Sequence, residues 1–127
     1  MDKVIGAEWV SALRSGDFIQ GKGALHPGAS HCCLGVLCEL YIKRTGLGKW
    51  LSEEGTPTLF LIDGDSAADA SREMQDGFLP RVIQKWAGLH SISGINRNGE
   101  KSLASANDKG STFQDIADLI EQSMETL

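Results

Sequence analysis

At 127 residues with 41% hydrophobic content, the chain is long enough to bury one core and too short to divide comfortably into two. Its net charge of -5 and isoelectric point near 5.1 argue against binding a nucleic-acid backbone as its main task. The longest apolar run, CCLGVLC at 32–38, falls far below the roughly 20 residues needed to span a bilayer.

Charge comes in blocks, positive over 1–50 and 81–110 and negative over 51–80 and 111–127, which implies a patchy surface. Three cysteines, two of them adjacent, follow an N-terminus that lacks the basic and apolar stretches of a secretion signal. That combination fits a reducing cytoplasm.

The first predicted element is a helix over 6–15, where Trp9, Val10 and Leu13 build one apolar face and Gly16 supplies the stop. FIQGKGALH then reads as extended. With the PGAS turn before HCCLG, it predicts a short hairpin. From about Leu34 the period becomes helical, with Leu34, Leu37, Cys38 and Tyr41 on one stripe, and the helix ends near Thr45 before Gly46.

GLGKWLSEEGTPT at 46–58 mixes glycine, proline and charge and reads as a surface connection. LFLID at 59–63 reads as a strand stopped by DGDS. The acidic, weakly periodic AADASREMQDG at 67–77 reads as a short exposed helix or an excursion, so 51–78 is treated as an acidic surface insertion.

A third helix starts at Pro80, buries Val82, Ile83 and Trp86 and stops at Gly88. HSISGIN reads as extended, Asn98-Gly99 as a turn, and SLASAND as a short helical turn with Leu103 inward. A terminal helix follows, opened by a capping box that could be Ser111 with Gln114 or Thr112 with Asp115. Its inner side is Phe113, Ile116, Ala117, Leu119 and Ile120, and its outer side is acidic.

HCCLGVLCEL at 31–40 is the densest group of chemically able residues. The available zinc donors are His26, His31, Cys32, Cys33 and Cys38. Adjacent thiols and a five-residue step to Cys38 do not match the usual pairing of ligands two to four residues apart. A free cysteine among leucines and valines packs as a small hydrophobe, so these thiols are expected in the core with no metal.

GKG at 21–23 is too short for a phosphate-cradling loop, which leaves a bend with Lys22 projecting outward. At NDKGSTFQD, Lys109 with the hydroxyls of Ser111 and Thr112 at a helix start could hold an anion, although helix capping alone explains the hydroxyls. Arg97 and Lys101 in INRNGEK add charge beside it. The histidines have no arrangement that reads as a catalytic triad, and the acidic FQDIADLIE argues against a helix-turn-helix reader.

WVSALRSGDFIQGKGAL with HCCLGVLCELY, LPRVIQKWAGL, and SLASANDKGSTFQDIADLIE together resemble a family of small proteins encoded by tailed phages and prophages. The resemblance covers about three fifths of the chain and leaves out the acidic 51–78 segment. It implies an accessory phage product in the host-cell cytoplasm, and it carries over no catalytic residues.

The expected fold is α+β, a single small domain over 1–127 with about four helices and a small antiparallel sheet. Its core draws on Trp9, Leu13, Cys33, Leu37, Leu40, Leu61, Ile83, Trp86, Phe113, Ile116 and Ile120. The expected function is non-enzymatic and without a cofactor: counter-defence by sequestering a small anionic signal, such as a cyclic nucleotide, between subunits of a homo-oligomer. The expected contacts are Lys22, Arg97, Lys101, Lys109, Ser111 and Thr112. An alternative is an inhibitor of a host or defence protein acting through the acidic 53–76 surface, and a third reading is a small metal-stabilised domain.

Overall fold

The structure, a computed structural model, describes residues 1–51, 59–61, 78–95, 99 and 102–127, with the backbone alone at 51 and 59–61. Five helices appear among these residues: α1 (Lys3–Arg14), α2 (Cys33–Thr45), α3 (Arg81–Ala87), α4 (Leu103–Asp108) and α5 (Phe113–Ser123). Two three-residue strands, β1 (Lys49–Leu51) and β2 (Leu59–Leu61), pair antiparallel with Trp50 opposite Phe60. The domain is therefore α-rich. The α+β expectation overstated the strands, which form one short ribbon instead of a layer against which helices stack.

Each helix boundary has a local cause. Asp2 starts α1 three residues earlier than the apolar period predicts, because its carboxylate accepts from the N–H groups of Val4 and Ile5. Gly46 ends α2 at φ 72°, a left-handed conformation that glycine adopts without a Cβ penalty. Of the two capping boxes open to α5, the chain uses Thr112 with Asp115. Thr112 Oγ1 accepts from Asp115 N, and the Asp115 carboxylate accepts from Thr112 N, both at 3.1 Å.

The connection from 46 to 58 is not wholly irregular, since Lys49–Leu51 pairs with the strand expected at 59–63. The hairpin expected across FIQGKGALH and HCCLG does not form. Instead, Gln20 and His31 make one isolated parallel bridge, and the chain between them coils back so that Leu25 O accepts from Cys32 N. HSISGIN likewise contributes a single bridge, Ile95 to Ser102. The 67–77 segment and Asn98 lie outside the described residues.

One hydrophobic cluster joins the helices. Trp9, Leu13, Cys33, Leu37, Ile83, Phe113, Ile116 and Ile120 are buried as expected, and Leu40 and Trp86 pack partly buried against them. The burial of Leu61 lies outside the description. Leu119, expected on the inner side of α5, is 38% exposed because α1 covers the Ile116–Ile120 stripe instead.

α2 is anchored on two sides. Trp9 Nε1 donates to Cys33 O at 2.9 Å, tying α1 to its first turn. Gly35 allows the loop to press against the same turn: a Cβ there would lie 1.8 Å from Leu25 O.

Candidate functional site

Two regions carry polar chemistry. The first is the junction where the loop after α1 meets α4 and the start of α5. Its centre is Asn107, fully buried on α4, whose Nδ2 donates to Gly21 O at 2.7 Å. Its Oδ1 accepts from Gln20 Nε2 at 3.0 Å and from Cys33 N at 3.2 Å. Gln20 also donates to Ser111 O at 2.6 Å, and Gly23 N donates to the Asp108 carboxylate at 3.0 Å. These bonds set the glycine loop against 107–111, so Lys22 and Lys109, both exposed, lie on neighbouring segments.

Beside this junction is a cleft of about 340 Å³, with an apolar wall of Ala24, Phe78 and Ala104. Ser102, Ser105, Asp108 and Lys109 supply its polar groups, and Cys32 lies at its wall. Burial pushes the Cys32 thiol up to about 11, and its sulfur accepts from Gly35 N at 3.4 Å, so at neutral pH it is a protonated capping group.

Of the contacts expected from sequence, Lys109 lines the cleft and Lys22 adjoins it through Gly23. Thr112 caps α5, and Ser111 turns its carbonyl to Gln20. Arg97 and Lys101 lie outside the described residues, as does the 53–76 acidic surface apart from 59–61.

The second region gathers His26 and His31 from the loop before α2, Glu39 from α2 and Trp50 from β1. The two imidazoles stack with centroids 3.8 Å apart and planes 21° from parallel. The Trp50 ring meets His26 edge-on at 4.7 Å, and Phe18 meets His31 edge-on at 5.2 Å. His26 Nδ1 donates to Ser30 O at 2.6 Å, and His31 Nε2 lies 3.3 Å from a Glu39 carboxylate oxygen that also accepts from Trp50 Nε1.

His31 beside it, with the Trp50 N–H, holds the Glu39 carboxyl below the usual carboxylate range, while desolvation holds His26 below the ordinary imidazole value. The histidines adjoin the cysteines in sequence, but all three thiols turn into the core or cap α2. Glu39 was missed because eight residues and a helix start separate it from His31. Its spacing carried no ligand signature.

A family model described as a domain of unknown function, DUF8296, matches residues 1–124. The chain belongs to the DUF8296 family. The DUF8296 match spans both polar regions and includes the acidic segment, but its description assigns no activity. Searches of curated proteins and of solved structures find no match. No helix among the described residues is long and apolar enough to cross a membrane.

Proposed function

We propose that this protein is a non-enzymatic binder that sequesters a small anionic signal of the cyclic-nucleotide class, acting as a counter-defence accessory of a phage in the host cytoplasm. The observation that carries this reading is the cleft beside Asn107. It combines an apolar wall at Ala24, Phe78 and Ala104 with the Lys109 ammonium and the hydroxyls of Ser102 and Ser105. A volume of about 340 Å³ lies in the range of small-ligand sites.

A nucleotide uses all of these features. Its base covers apolar surface, its phosphate faces Lys109 with Lys22 nearby, and the Asp108 carboxylate accepts from a ribose hydroxyl or an exocyclic amine. Cys32, a nucleophile-bearing residue of the wall, is held as a neutral thiol, which suits holding a ligand more than attacking it. The resemblance to small phage proteins supplies the biological setting.

The test is calorimetry and thermal shift against a panel of cyclic mono- and dinucleotides at fixed salt. One member of the panel should bind saturably, and Lys109→Ala should weaken it by about tenfold, the value of one charge-assisted hydrogen bond. If no member raises the melting temperature, or if Lys22→Ala/Lys109→Ala binds like the wild type, the reading fails.

A further inference from the structure

The histidine cluster is built in a way that packing alone does not require. One donor atom from each of His26, His31 and Glu39 lies within 4.8 Å of the other two. Each flanking donor is already oriented: His26 gives its Nδ1 proton to Ser30 O, which turns the Nε2 lone pair outward, and Trp50 Nε1 holds the Glu39 carboxylate. This is the outer-shell pattern that fixes histidine tautomer and carboxylate geometry around a metal.

His31 is 9% exposed, and its Nδ1 is buried without a hydrogen-bond partner among the described residues. Buried polar atoms nearly always have one. Neutral nitrogen lone pairs beside a carboxylate are the form in which these residues bind a cation.

We propose that His26, His31 and Glu39 form a binding site for a divalent transition metal of the zinc class, with Trp50 and Ser30 O as its outer shell. Two imidazoles and one carboxylate suit borderline ions and disfavour calcium or magnesium, which take mainly oxygen ligands. Tetrahedral zinc, with bonds of about 2.0–2.2 Å, holds its ligand atoms about 3.4 Å apart, so the widest separation in the trio closes by up to about 1.4 Å on binding. Glu39 is only half-buried and can move by side-chain rotation, while the two imidazoles, whose lone pairs lie in their ring planes, tilt out of their 21° stack so that both face the ion. Three protein ligands leave a fourth position for water.

None of these residues lines the cleft at Lys109, so the site stands independently of the nucleotide reading. Its test uses metal ions alone. Untagged protein, stripped with chelator, is titrated with Co²⁺ and then with Zn²⁺. The expected result is one equivalent bound, a raised melting temperature, quenching of part of the tryptophan fluorescence by Co²⁺, and visible cobalt bands without thiolate charge transfer.

His26→Gln and Glu39→Gln should each weaken binding by more than about tenfold, the lower range for outer-shell losses. His90→Ala, at an exposed histidine after α3, should leave it unchanged. If Glu39→Gln does not fold, His26→Gln, at a half-buried loop position, carries the comparison. The proposal is overturned by wild-type protein that binds no stoichiometric metal, by binding that survives in His26→Gln, or by a thiolate-to-cobalt band, which would transfer the ion to the cysteines.

Discussion

Cys32, Cys33 and Cys38 are 4%, 0% and 0% exposed, and burial raises all three thiols above their ordinary value, Cys32 to about 11. In the native protein they stay protonated, whereas in the unfolded chain they ionise from about pH 8.5 upward. Above that pH the unfolded state binds fewer protons than the native state, so stability falls as pH rises. Two outcomes are expected. Maleimide at pH 7.5 should modify no thiol rapidly in folded protein and all three after denaturation, as counted by mass spectrometry. Melting temperatures should decline progressively above about pH 9, and a triple Cys→Ala variant, where it folds, should lose that alkaline decline.

At the same scale, the apolar company of Leu34, Val36 and Leu37 was enough to expect buried thiols. Gly35 was not legible, because the Leu25 carbonyl that forbids a Cβ there comes from a loop ten residues earlier. His31 was not legible either, since its Phe18, Trp50 and Glu39 neighbours come from three separate segments.

Helices were the legible elements. Each is announced by apolar spacing and an end signal in its own residues, and each forms within a few residues of its expected limits. Strands depend on partners, and the reading missed both the pairing of 49–51 with 59–61 and the absence of a hairpin across 18–31. At α5 two capping boxes fitted the sequence equally, and hydrogen bonding selects Thr112. Thr112→Ala is therefore expected to destabilise the protein by about 1 kcal/mol. Ser111→Ala, which leaves the Ser111 carbonyl on Gln20 intact, should change stability by no more than about 0.5 kcal/mol. Urea melts of the two variants measure the difference, and equal losses would remove the capping assignment.

Across the whole molecule, Asn107 joins what the chain order separates. Its amide links the glycine loop, the first turn of α2 and, through Gln20, the start of α5. Asn107→Leu keeps the approximate volume but leaves Gly21 O and Cys33 N without that partner, so a loss of at least about 2–3 kcal/mol is expected at one to three per orphaned group. Asn107→Asp retains an acceptor but aims a carboxylate at Gly21 O in place of a donor, and it too should destabilise strongly. Denaturant melts at pH 7 check both, and a near-neutral Asn107→Leu would show that the junction is held by other contacts. Because the junction forms one side of the Lys109 cleft, the same variants should also weaken any ligand bound there.

Periodicity, capping residues and composition act over a few neighbouring positions, so the residues themselves carried the helices, most of the core and the burial of the thiols. Which loop lies against which helix depends on long-range closure, whose partners leave no regular spacing. Only the folded chain brings Asn107 to Gln20 and Gly21, and sets Glu39 and Trp50 around His26 and His31. Both candidate sites belong to that second class: their chemistry is a property of contacts between segments, and those contacts exist once the core has packed.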